Sequence, residues 1–151
     1  MTDFWRAVLA GLGGTVLMTA FMYLASLIMN KRLKVVDILG TMLTGKTRQN
    51  GQLSYTFPSI LVGIIAHFSV GVVFSLAYLG LWKLGIGSPT LLSSILFGIV
   101  SGLVAIVVWR SFFFIHSRPP AVELRAYLIA IFIAHLFFAV ETVYCYNLLG
   151  S

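Results

Sequence analysis

The chain is poor in charge. Only 9% of its 151 residues are Asp, Glu, Lys or Arg, against about a quarter in a soluble domain. That shortage excludes an ordinary water-soluble fold and points to an integral membrane protein. Acids are scarcest, four against ten Lys and Arg, for a net charge of +6. This balance does not make a nucleic-acid binder, because the cations gather in loops beside apolar runs, where membrane topology accounts for them. Cysteine occurs once, at Cys145, so no internal disulfide and no cysteine-based zinc site can form. Within an apolar run, Cys145 reads as a small packed hydrophobe. No Cys-x-x-Cys-His motif is present, which removes covalent haem attachment. A phosphate-binding glycine loop, a Ser/His/Asp set and a metal cluster beyond two histidines are lacking too, so no enzymatic activity is expected. No clean cleavage site follows the first apolar run, which is expected to be a helix of the mature protein rather than a signal peptide.

What is present is apolar and helical. Hydrophobic residues make up 60% of the chain and the mean hydropathy is +1.02. Four runs, approximately 4–29, 57–83, 90–115 and 121–149, exceed the length that spans a hydrocarbon layer of ~30 Å at ~1.5 Å per residue. The expectation is an all-α, single-domain, multi-pass four-helix bundle in the cytoplasmic (inner) membrane. Residues 35–44 have apolar positions at 35, 36, 38, 39, 42 and 43, which predicts a short helix lying in the interface. Asp37 within it is a candidate to cap that helix, bind a cation or pair with Lys34. The stretch 45–56 is polar and reads as a loop, and Pro119-Pro120 stops the third span.

Small residues recur at four-residue spacing and so form stripes on helices. Gly11, Thr15 and Thr19 form one, Ser94, Gly98 and Gly102 another, and Ser59, Gly63, His67, Gly71 and Ser75 a third. Such stripes let helix backbones approach closely in lipid. Cations divide unevenly: Lys31, Arg32, Lys34, Lys46, Arg48, Arg110, Arg118 and Arg125 lie on one side, Arg6 and Lys83 on the other. The larger group is expected in the cytoplasm, which turns both termini outward.

The second and fourth spans repeat each other at an offset of 68. Ile65/Ile133, Ala66/Ala134, His67/His135, Val72/Val140 and Tyr78/Tyr146 are identical pairs. Histidine is rare in spans, so its match carries the most weight. The expected architecture is two helical hairpins related in parallel by a pseudo-two-fold along the membrane normal. Both histidines then lie near the bilayer midplane. The run Asp37-Ile38-Leu39-Gly40, the run Ile-Ala-His-Phe-x-Val-Gly-Val-Val-Phe-x-x-x-Tyr over 65–78 and a second histidine in the last span resemble a group of small four-helix bacterial inner-membrane proteins without an assigned activity. The resemblance implies fold and localisation, and carries no catalytic residue.

Ionisable residues at membrane depth mark functional candidates. Three readings follow. In the first, His67 and His135 hydrogen-bond within the bundle. The protein is then a non-catalytic accessory or scaffold subunit, with the bilayer and other membrane subunits or further copies of itself as partners. In the second, the two imidazoles hold one haem b, with Gly63 and Gly71 making room for the macrocycle beside His67. In the third, His135, Glu141, Thr142 and Tyr146 line a transport or proton path. Glu141 stands six positions from His135, about 120° around the helix, so the two do not share a face. His116, in the polar loop, is expected to meet solvent or lipid head groups.

Overall fold

A computed structural model describes residues 1–150. Its helices are α1 (Asp3–Met29), α2 (Val35–Leu43), α3 (Phe57–Lys83), α4 (Leu91–Ile115) and α5 (Leu124–Leu148), with a 3₁₀ turn at Gln49–Gly51 and no strand among the described residues. The four long helices are each long and apolar enough to cross a membrane. Their ends follow local chemistry. Asn30 adopts a left-handed conformation (φ 50°) and closes α1, its N–H bonding the Leu27 carbonyl. Pro58 sits in the first turn of α3, where its missing N–H matters least. Thr90 caps α4 by accepting from the Ser93 N–H at 3.4 Å. Residues 121–123 are not helical, and α5 starts at Leu124. The two prolines and an ion pair between Lys31 and Glu123 hold that entry extended.

The small stripes form the seams inside the chain. α1 packs against α3 and α5, and α4 packs against α5. On α3, a Cβ at Gly71 would collide with the Thr15 hydroxyl of α1, and the Ser75 hydroxyl donates to the Ala7 carbonyl at 2.7 Å. On α4, a Cβ at Gly98 would stand 3.0 Å from Leu136 Cα of α5, and one at Gly102 would stand 2.8 Å from the Phe132 ring. Gly14 of α1 faces Thr142 and Phe138 of α5 in the same way. In lipid, where apolar surface gains nothing from leaving water, this backbone proximity is what joins helices.

α2 is the short helix expected after the first span, and the rest of the chain covers it. Seven of its nine residues are buried, and only Leu39 and Leu43 are not. It packs along the first half of α3, where Gly40 meets the Ser59 carbonyl and Gly63 meets the Val36 carbonyl. The reason is satisfied polarity. Thr41 Oγ1 donates to the Asp37 carbonyl at 2.7 Å and accepts from the Ser54 N–H at 2.9 Å. Hydroxyls of Thr44, Ser54 and Thr56 converge on Ser59 at 2.9–3.0 Å. Buried polar groups so paired cost little.

His116 departs from the solvated role. Its Nε2–H donates to the Met42 carbonyl at 2.9 Å, and its Nδ1 accepts from the Arg118 N–H at 3.1 Å. The Thr47 hydroxyl donates to the Arg118 carbonyl at 2.6 Å, and the Ala121 N–H donates to the Gly51 carbonyl at 2.8 Å. The two loops on this side are thereby stapled into one cap around α2. On the opposite side, Arg6 donates to the Tyr146 carbonyl at 2.8 Å, and Asn147 donates to the Pro89 carbonyl at 2.8 Å.

Candidate functional site

One pair of neighbouring long helices does not close. α3 and α4 follow each other through a short turn, yet no close seam joins them along their length. They meet through side chains near the turn. The Tyr78 and Phe97 rings lie 5.0 Å apart, Trp82 stacks on Phe97 at 6.4 Å, and the Tyr78 hydroxyl donates to Ser101 Oγ at 3.0 Å. These large rings wedge the two backbones apart. Farther along, a cavity of about 150 Å³ remains, reached between Val70 of α3 and Val104 and Val108 of α4. Those three valines are about half exposed and mid-span, so the mouth faces sideways into the bilayer. α2 lends Val35 and Leu39 to the wall, and Phe74, Trp109, Phe112 and Phe138 supply aromatic surface.

Both repeated histidines stand in this cavity. His67 is 7% exposed and His135 is 6% exposed. Their hydrogen bonds settle which nitrogen is the donor on each. Thr19 has one hydroxyl proton, given to the Thr15 carbonyl at 2.7 Å. With that proton so placed, Thr19 Oγ1 accepts from His67 Nε2–H, 3.0 Å away. Nε2 of His67 carries the proton and Nδ1 carries the lone pair. On His135 the bond runs from Nδ1–H to the Ile131 carbonyl at 2.7 Å, since a carbonyl only accepts. Nε2 of His135 therefore carries the lone pair. Neither lone-pair nitrogen has a hydrogen-bond partner among the described residues. Phe74 of α3 presses edge-on to the His135 ring at 5.8 Å between centroids.

The other candidates lie elsewhere. Glu141 accepts from the Cys145 Sγ–H at 3.1 Å, one turn along α5, and makes no ion pair among the described residues. Cys145 is thus a hydrogen-bond donor rather than only a hydrophobe. Thr142 is fully buried against Gly14 with its hydroxyl unpartnered, and Tyr146 lies under the Arg6 guanidinium at 4.1 Å. None of these four lines the cavity with His135. Asp37 is buried in the first turn of α2, and its carboxylate makes no ion pair with Lys34. Burial pushes its pKa above the usual carboxylate range, against the smaller opposing effect of Lys34.

The space expected for a haem is filled. Gly63 is covered by α2 and Gly71 by α1, so neither glycine leaves room beside His67. The cavity of about 150 Å³ is half the lower bound of ~300 Å³ for pockets that take drug-sized ligands. His67 already engages Thr19 through Nε2. These residues do not fit a macrocycle in this arrangement.

The chain matches no protein-family model, no curated protein and no solved structure. The functional reading therefore rests on the molecule's own geometry. What the sequence did not signal is the cleft itself, because the wedge of Tyr78, Trp82 and Phe97 looks like any run of aromatic residues near a span end.

Proposed function

We propose that this protein is a non-catalytic accessory subunit of a membrane assembly, and that its contribution is to hold a small apolar molecule taken sideways from the bilayer. The single observation that carries this reading is the α3–α4 cleft, mid-span, aromatic-lined and open toward lipid. Every small-residue stripe is already engaged inside the chain, whereas the cleft is unfilled. In support of a binding rather than a catalytic role, no carboxylate or thiol lines the cavity, and the one hydroxyl that meets a histidine, Thr19 on His67, gives its proton to the Thr15 carbonyl. The inner membrane, with the cation-rich loops in the cytoplasm and both termini outward, is the proposed setting. Duplication of an ancestral hairpin is the proposed origin of α1–α3 and α4–α5.

The test fills the cleft. Protein is purified into lipid nanodiscs, and small molecules retained with it are extracted and quantified by mass spectrometry. Wild-type protein and the outward-facing Val107→Phe variant should retain one apolar species near one per chain. Ala105→Phe, which puts a ring into the cleft, should lose it. Equal retention by the wild type and both variants would overturn the reading. A Soret band in the wild-type absorption spectrum, lost in both His67→Ala and His135→Ala, would replace it with the cytochrome reading.

A further inference from the structure

Resting on the cleft as a binding site, the geometry points to the chemistry of its guest: we infer that the cavity takes a single aromatic ring bearing hydroxyl donors, a phenol or hydroquinone head, with the hydroxyls given to His67 Nδ1 and His135 Nε2. Three observations carry this. The first is size. A cavity of about 150 Å³ is the volume that holds one benzene-sized ring and little more. The second is the wall. Phe74, Trp109, Phe112 and Phe138 offer faces and edges for a ring, and an aromatic pair adds ~0.5–1.5 kcal/mol beyond area burial.

The third is polarity. Two imidazoles, each more than nine-tenths buried, line the cavity, and His67 Nδ1 and His135 Nε2 have no hydrogen-bond partner among the described residues. Each ring's only proton is already held, by Thr19 Oγ1 and by the Ile131 carbonyl. The histidines therefore accept and do not donate, which selects a guest that donates. A quinone, whose oxygens only accept, is not matched; its reduced hydroxyl form is. A metal cation is disfavoured because no acidic side chain lines the cavity to balance its charge. A neutral hydroxyl needs no such balance.

The mouth between Val70, Val104 and Val108 leaves a path for a tail to remain in lipid. The ring chemistry is common to a free phenol and to a membrane-borne hydroquinone with an alkyl or isoprenoid chain. The experiment separates them.

Binding is measured by equilibrium dialysis to full-length protein in nanodiscs, with empty nanodiscs subtracted, under nitrogen. Three probes share one shape: hydroquinone donates, 1,4-benzoquinone only accepts, and p-xylene does neither. Hydroquinone is expected to bind more tightly than benzoquinone, and each of His67→Leu and His135→Leu should weaken it roughly tenfold, the effect of leaving one buried hydrogen bond unmade. p-Xylene should bind both variants as well as it binds wild type. That retention also shows the variants are folded. In nitrogen-15 histidine-labelled wild-type protein, hydroquinone should shift the lone-pair nitrogen of both rings and p-xylene should shift neither, a readout that needs no variant. Decylhydroquinone binding more tightly than hydroquinone assigns the guest to the bilayer, and equal binding assigns it to a free phenol.

Equal binding of quinone and hydroquinone, or hydroquinone binding indifferent to both histidines, overturns the hydroxyl assignment. If p-xylene is still displaced by Ala105→Phe in that case, the cleft stands as a site and only its polar preference falls. Failure of all probes to bind overturns the cleft reading itself.

Discussion

The α1–α5 side and the α3–α4 side of this molecule are two places where a helix from the first half of the chain lies beside one from the second. They are built differently. On the α1–α5 side, Gly14 lies against Thr142 and Phe138, and Gly13 lies 3.2 Å, by its absent Cβ, from the Cys145 sulfur. On the α3–α4 side, Tyr78, Trp82 and Phe97 stack into a wedge, and Phe74 lines the cavity against His135 and Phe138. The offset of 68 sharpens the contrast, since the position of Phe74 in α3 is Thr142 in α5. Bulk stands where the side is open and a small hydroxyl where it is closed. In a membrane no expulsion of water presses helices together, so side-chain shape alone decides whether a seam forms or a cleft remains.

The contrast is broken most severely at a glycine seam. Gly71→Leu must push α1 from α3, because its Cβ falls on the Thr15 hydroxyl. It should cost about 3 kcal/mol, measured by denaturation in mixed micelles. Gly80→Leu, with nothing within 4 Å of its Cβ, should stay within ~0.5 kcal/mol of wild type. Equal losses at the two glycines would mean that helix propensity and not the seam is being read.

The next comparison sets the two sides against each other. A phenylalanine at Gly14 has to displace Thr142 and the Phe138 backbone, while one at Ala105 has the cavity to enter. Gly14→Phe should cost about 2–3 kcal/mol and Ala105→Phe under ~1 kcal/mol. A closed α3–α4 side would make the two costs alike.

Smaller effects belong to the cap around α2. His116→Ala removes the donor to the Met42 carbonyl and should cost about 1 kcal/mol, with faster amide exchange along α2. Asp37 should give the smallest change, visible as a pH dependence. Burial raises its pKa in the folded state above the unfolded value. The folded chain then holds that proton more tightly, so the contribution is fully present below the unfolded pKa and is lost as pH rises through the folded one. Stability should therefore decline as pH climbs out of the carboxylate range, and Asp37→Asn should flatten that decline. A variant whose pH profile keeps the wild-type slope would place the titration elsewhere.

Much of this was legible in the residues alone. Four apolar runs and their loop breakers predict four spans within a few residues of the observed helices, because hydropathy and proline act locally. Stripes such as Gly11-Thr15-Thr19 and Ser94-Gly98-Gly102 mark seams, because a missing side chain at four-residue spacing has one steric use in lipid. The His67/His135 match was visible as a repeat. Tertiary structure alone decided the rest. α2 is covered by the rest of the chain, with hydroxyls from Thr41, Ser54 and Ser59, scattered along the sequence, converging beside it. His116 is a staple because Met42, distant in sequence, offers its carbonyl. Gly63 and Gly71 serve contacts with α2 and α1, which four-residue spacing cannot tell apart from room for a ligand. The cleft exists because aromatic side chains on α3 and α4 hold two backbones apart. Its acceptor character follows from where Thr19 and Ile131 take a proton from each histidine. Spans and stripes are properties of one helix at a time; a cavity and the free face of an imidazole depend on which helices end up as neighbours.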